Sequence, residues 1–195
     1  SLLPLTSALR TYKLTDDVVD SALCSGTKPS LSLSGYLNVE GSSDDIKDDK
    51  NYFYWFHEAQ NPATQVEDTP FIIWLTGGPG CSSTLALLSE NGPCAVNADG
   101  ASTKANPYSW NDKANVLWLD QPAGVGFSYG TTNDSNEEMV GEDAYYFVQH
   151  FLEAHPEYAK NPMFIFGESY GGHYAPNIAH RIFTGNKEAK EGTIQ

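Results

Sequence analysis

Two kinds of apolar pattern alternate along this chain. Phe71-Ile72-Ile73-Trp74-Leu75 is a continuous apolar run, as in a strand buried on both faces, and Val116-Leu117-Trp118-Leu119 reads as another buried strand. Met163-Phe164-Ile165-Phe166 is a third short run. Helical spacing appears between and after them. Ala144, Phe147, Val148, Phe151 and Leu152 recur along one face, Ser135 with Glu138 fits a capping box, and Pro156 closes the segment. A shorter helix is predicted over about 82–90, stopped by Asn91-Gly92-Pro93. A last helix is predicted from the turn at 167–172 to about Phe183, with Gly185-Asn186 as its stop signal. Upstream, 33–39 and 52–56 read as two strands of an antiparallel hairpin joined by the acidic turn 43–50. Residues 1–30 are loosely patterned and are expected to wrap the surface.

Buried strands alternating with helices predict an α/β fold, a mostly parallel sheet with an antiparallel hairpin at one edge. A chain of 195 residues is enough for one domain. No internal repeat or low-complexity linker divides it. In such sheets the active loops lie at the carboxyl ends of the strands. Loops 76–83, 120–129 and 167–172 occupy that position and are expected to converge on one crevice.

The third of these loops carries recognisable chemistry. Gly167-Glu168-Ser169-Tyr170-Gly171 is a Gly-x-Ser-x-Gly pentapeptide placed between a β-run and a helix. A tight strand-to-helix turn needs small flanking residues and holds its serine out of the sheet, where a base and an acyl substrate can both reach it. Acyl transfer builds charge on the carbonyl oxygen, which two preorganised N–H groups must meet. Tyr170 supplies one, and the Gly77-Gly78 loop lets backbone approach closely enough to supply the other.

Charge and cysteines narrow the setting. The balance of 11 basic against 25 acidic residues gives a formal charge of −14, which disfavours nucleic acid and anionic membrane surfaces as partners. Strong acidity suits work at low pH, and equally plain solubility. No stretch approaches the roughly 20 apolar residues of a membrane span. The start, Ser1-Leu2-Leu3-Pro4, has no initiator Met and no basic flank, compatible with a signal segment already removed. Asn133-Asp134-Ser135 is a glycosylation sequon compatible with a secretory route. Cys24, Cys81 and Cys94 form an odd set: in an oxidising compartment one needs a thiol outside the chain, and in a reducing one all three stay free.

The segments WLTGGPGCSS (74–83), ENGP (90–93), NPYSWN (106–111), LDQPAGVGFSY (119–129) and GESYGGHY (167–174) closely resemble the serine carboxypeptidase family, in the family's order. The likeness covers nearly the whole chain from about Ser34. It implies an α/β-hydrolase fold and removal of single residues from peptide C-termini at acid pH, without a cofactor. It places such a protein in the secretory pathway, in a vacuole or lysosome or secreted. It maps Ser169 as nucleophile, the Gly78 and Tyr170 N–H groups as oxyanion hole, and Trp74, Thr76, Gly77, Glu90 and Glu168 as the site for the substrate's terminal carboxylate. Two carboxyls close together in a dry pocket cannot both ionise cheaply, so one stays protonated and donates to that carboxylate. Position 76 departs from the Asn of many relatives; Thr keeps one donor but has less reach.

The remaining polar residues fit other roles. His173 lies four positions past Ser169 on the departing helix and reads as structural. His57, His150, His155 and His180 show no ligand spacing, so no metal is expected. Asp120 precedes the serine, whereas hydrolases of this fold take the triad in the order Ser, acid, His. The expectation is therefore an incomplete domain whose Asp and His come from a second chain, possibly disulfide-linked, or from an absent C-terminal portion. Gly192-Thr193-Ile194-Gln195 looks like the start of another strand. Acyl transfer to an alcohol on the same scaffold is the main alternative, although those relatives tend to carry Asp before the nucleophile. A non-catalytic scaffold that stabilises a partner is the other.

Overall fold

The computed structural model describes residues 12–24, 26–40 and 49–188. The chain opens with strand β1 (Tyr12–Val18), followed by β2 (Ser32–Glu40), β3 (Asp49–His57) and β4 (Phe71–Leu75). Helix α1 (Thr84–Ser89) leads to a small antiparallel pair, β5 (Cys94–Val96) and β6 (Thr103–Ala105). Then come β7 (Asn115–Leu119), the short β8 (Tyr129–Gly130), α2 (Glu137–Ala154), β9 (Met163–Gly167) and α3 (Gly171–Glu188).

The main sheet runs β1-β2-β3-β7-β4-β9, with β8 paired to β3. The three strands β7, β4 and β9 are parallel, and β1, β2 and β3 extend the sheet antiparallel beside β7. This is the predicted α/β layout with one strand more at the hairpin edge. β1 lay in the segment expected to wrap the surface, because only Leu14 stands out as apolar between Lys13 and Asp17. Parts of two sequence-based expectations, turn residues 43–48 and the strand start at 192–195, lie outside the described residues.

The continuous apolar runs have a direct cause. One face of the sheet, with Phe71, Ile73, Leu75, Leu117 and Leu119, packs on Ala144, Phe147, Val148, Phe151 and Leu152 of α2 and on Tyr174 and Ile178 of α3. The opposite face, with Ile72, Trp74, Val116 and Trp118, packs on Ala86 and Leu87 of α1. β4 and β7 are thus covered on both sides and need no polar alternation. β9 is not: Met163 and Ile165 join the first core, while Phe164 and Phe166 stand 47% and 41% exposed.

Three local details differ from the sequence reading. The cap of α2 is Asn136, whose side chain accepts the Met139 N–H at 3.0 Å, so the capping-box serine lies one residue outside. Helix α3 runs through Gly185-Asn186 instead of stopping there. Gly185 answers a packing need: a Cβ on it would lie 2.6 Å from the Tyr145 ring of α2. Cys24 and Cys94 form a disulfide across 70 residues, leaving Cys81 free and exposed. Closing a loop of that length stabilises the fold by about 4 kcal/mol in the chain-entropy picture.

A charged cluster is buried under α2. Lys50 of β3, with a fully buried side chain, makes 2.6 Å ion pairs to Asp134 and Asp143, and Tyr52 donates to Asp143 at 3.0 Å. Two carboxyls share one ammonium, and Asp134 Oδ2 is buried without a partner. Burial pushes the Asp143 carboxyl up to about 6, against the Lys50 hydrogen bond and with help from Asp134's charge. Burial alone would lower Lys50, but the two aspartates outweigh it and its pKa is raised, so it stays charged throughout the acid range. A carboxyl raised in the folded state takes up a proton on folding. Its contribution is therefore full below about pH 4, the ordinary Asp value, and is lost as pH rises through about 6. The melting temperature is expected to fall between pH 4.5 and 7, with a shallower slope in Asp143→Asn; equal slopes by calorimetry would contradict this.

Candidate active site

β4 sits between β7 and β9 with Trp74 opposite Trp118 and Leu75 opposite Gly167, so the loops leaving all three strands emerge side by side. The turn after β9 has the geometry the pentapeptide requires. Ser169 has φ +56°, the one non-glycine residue with positive φ among those described, and it is solvent exposed. Such a conformation costs a β-carbon residue on the order of 1 kcal/mol or more and is held only by its surroundings. Those surroundings are tight: a Cβ at Gly167 would lie 2.4 Å from the Gly171 carbonyl oxygen, and one at Gly171 would lie 2.5 Å from that of Leu75. Glu168 N–H donates to the Leu75 carbonyl at 3.1 Å, tying the elbow to the end of β4.

The glycine loop after β4 is seated on this elbow. A Cβ at Gly77 would stand 2.4 Å from the Tyr170 nitrogen and 2.6 Å from the Glu168 oxygen. Gly78 adopts φ +114°, a region closed to other residues without strain. The loop is fixed internally by Cys81 N–H to the Gly77 carbonyl (3.0 Å) and Thr76 N–H to Ser83 Oγ (3.1 Å). The Gly77-Gly78 backbone and the Tyr170 N–H are therefore brought together beside Ser169, as the pattern of glycines required.

The residues expected to hold a carboxylate divide into two groups. Glu90 caps the C-terminus of α1, and its carboxyl hydrogen-bonds to that of Glu168 although 78 positions separate them in sequence. Burial, then the charge of Glu168 and that hydrogen bond, raise the Glu90 pKa. Both residues are exposed in the described structure, so the pairing is present without the dry pocket expected around it. Trp74 and Thr76 are buried, and the indole N–H donates to Thr76 Oγ1 at 3.0 Å. Their polar atoms satisfy each other inside the protein.

Several neighbours carry this arrangement without having been assigned a role from sequence. Asn106 donates to the carbonyls of Glu90 (3.0 Å) and Gly92 (2.9 Å), fixing the backbone that presents Glu90. Trp110 stands edge-on to both Trp74 and Phe166, with centroids at 5.0 and 5.2 Å. Both residues lie in the 106–111 segment, whose likeness to a family was the available signal. Asp120, wholly buried at the end of β7, bonds loop 76–84 and loop 120–129 together.

The histidines lie elsewhere or do other work. His173 packs its ring on Tyr170, centroid to centroid 4.6 Å. His57 is buried between Trp55 and Trp118 at the opposite end of the strands, and burial pushes it down to about 4. His155 bonds to Asp16, and His150 pairs with Glu153. Among the described residues no group of three His, Cys, Asp or Glu side chains is placed to hold a metal.

A family model described as serine carboxypeptidase matches residues 25–195. The chain belongs to the serine carboxypeptidase family. It is 49% identical over 156 residues to a vacuolar serine-type carboxypeptidase, ATG42, of Saccharomyces cerevisiae, covering 80% of this chain and 28% of the relative. It is 46% identical over 151 residues to carboxypeptidase Y of Komagataella phaffii, covering 77% of this chain and 27% of that one. Among solved structures it resembles Kex1Δp, a prohormone-processing carboxypeptidase from Saccharomyces cerevisiae. The TM-score is 0.70 at 32% identity, over 90% of this chain and 37% of the other. The fold is therefore the α/β-hydrolase fold. The chain spans between 27% and 38% of the length of the first curated relatives it matches.

Proposed function

We propose that these residues are the nucleophile-bearing part of a serine carboxypeptidase that releases C-terminal residues from peptides at acid pH. One observation carries this reading: the Gly77-Gly78 loop is seated on the Ser169 elbow with the Glu90–Glu168 pair beside it. Ser169 Oγ attacks the last peptide carbonyl and gives its proton to a base. The developing oxyanion is met by the Gly78 and Tyr170 N–H groups. Collapse expels the C-terminal amino acid, protonated by the same base, and water then hydrolyses the acyl-enzyme.

The acid and base of the triad come, in this reading, from residues outside these 195. No aspartate follows Ser169, and the histidines that do, His173 and His180, lie on α3. A complementary segment or chain would supply them, and two features suit its presence. The exposed Phe164 and Phe166 of edge strand β9 offer it an apolar surface, and the free Cys81 a thiol. The vacuolar relative and the exposed Asn133 of the sequon favour a secretory route to a vacuole or lysosome, or secretion, with Asn133 glycosylated.

In this reading Glu90 donates a hydrogen bond to the substrate's terminal carboxylate while it is protonated. Its pKa is raised, so the donor is present at acid pH and is lost as pH rises through that value, when two carboxylates face a third. Gly77 would present its N–H to the same group, with Trp74 and Thr76 forming the wall behind it. The test is KM against pH in the complete protein. A peptide with a free C-terminus is expected to lose roughly tenfold in KM between pH 5 and 7.5, the worth of about 1.4 kcal/mol. Its C-terminal amide should show a flat KM, and Glu168→Gln should flatten the free peptide's curve. Parallel curves for the two peptides would defeat the assignment.

A further inference from the structure

Asp120 is the most connected carboxylate next to the crevice, and the order of the triad leaves it without a part in the chemistry. Its side chain is wholly buried. Oδ1 accepts the Ser82 hydroxyl at 2.6 Å and the Ser83 N–H at 2.8 Å, and Oδ2 accepts the Phe127 N–H at 2.9 Å. Its backbone carbonyl accepts the Ser128 hydroxyl at 2.6 Å, and Ser128 Oγ in turn accepts the Phe53 N–H at 2.7 Å. Gly126, at φ +57°, approaches so closely that a Cβ there would sit 2.0 Å from Oδ2. Loop donors already occupy both oxygens, so neither is aimed at an approaching histidine.

The connections lead to the nucleophile. Ser83, held by Asp120, accepts the Thr76 N–H through its own hydroxyl. Thr76 precedes Gly77, whose backbone is seated against the Tyr170 nitrogen. One carboxylate thus fixes the far end of the glycine loop, and the Thr76–Ser83 bond carries that restraint to its near end. An ionised carboxylate is suited to this because it accepts on both oxygens, whereas an amide in its place would turn an NH2 group toward at least one of these donors.

We infer that Asp120 is a positioning residue for the oxyanion hole, clamping loop 76–84 and loop 120–129 so that the Gly78 N–H stays aligned with that of Tyr170. The inference rests on the reading of Ser169 as an acyl-accepting nucleophile. A loosened loop weakens contacts made only when charge develops on the substrate oxygen. The loss therefore falls mainly on kcat, with a smaller effect on binding because the Gly77 N–H lies in the same loop.

The experiment compares Asp120→Asn with the unaltered complete protein, using a fluorophosphonate probe for Ser169 and a blocked dipeptide for turnover. Labelling rate and kcat are expected to fall about 10- to 100-fold, on the scale of one weakened oxyanion donor, with a smaller rise in KM. Asp16→Asn, which alters the β1 aspartate bonded to Tyr54 and His155, is the control and should keep kcat within twofold at pH 5. If Asp120→Asn does not accumulate folded, Ser82→Ala carries the same test, because it removes one donor and leaves the carboxylate; a loss of a few-fold in both rates is expected. Unchanged labelling, or a loss confined to KM, overturns the role. An unaltered protein that does not label at all contradicts the Ser169 reading itself, a failure visible before any variant is compared.

Discussion

Replacing Ser169 with alanine is expected to abolish fluorophosphonate labelling of the complete protein and to lower kcat by about 10⁴- to 10⁶-fold, the scale seen when a triad nucleophile is removed. The residual rate comes from oxyanion donors and bound substrate, which survive the change. Stability should hardly move. Ser169 holds φ +56° and its side chain is exposed, so removing the hydroxyl sacrifices no buried contact. Melting temperature is therefore expected to stay within a few degrees of the unaltered value. Full activity in the alanine variant would eliminate the acyl-enzyme, while a collapse of the fold would show that the hydroxyl serves structure as well.

The second large effect is expected from Gly77→Ala. A methyl group there must displace either the Tyr170 nitrogen at 2.4 Å or the Glu168 oxygen at 2.6 Å, both backbone atoms that cannot swing aside. The loop has to lift from the elbow, and the gap between the two oxyanion donors opens. The expected loss is about 10²- to 10³-fold in kcat, the worth of one donor, with labelling slowed in proportion. Gly100→Ala is a useful contrast, since nothing lies within 4 Å of a Cβ there even though φ is +66°. Its cost should appear as backbone strain of about 1 kcal/mol in a melt, with kcat unaffected.

How much of this was legible in the sequence depends on how local each signal is. β4 and β7 could be read because burial on both faces makes every residue apolar, and the elbow because its glycines are forced by backbone clashes within a few residues. β1 could not, since an edge strand that packs only the half-buried Leu14 on the core presents almost no apolar pattern. The pairing of Cys24 with Cys94 was not decidable from three cysteines, because it depends on where the β5–β6 pair falls in space. The Glu90–Glu168 pair was named only through the resemblance; neither residue carries a local mark of its partner. Asp120 was visible as a strand-end acid, but its hold on Ser82, Ser83 and Phe127 exists only once two loops have folded against each other. Helix α3 shows the reverse error, where a Gly-Asn stop signal was overridden by the close approach of α2.

The most direct measurement is the mass of the products formed at pH 5 when the complete protein meets a synthetic peptide and its C-terminally amidated twin. A serine carboxypeptidase working through Ser169 and the Glu90–Glu168 pair should remove residues one at a time from the free C-terminus and process the amide far more slowly. Internal cleavage, equal rates on the two peptides, or continued trimming by the Ser169→Ala variant would contradict it.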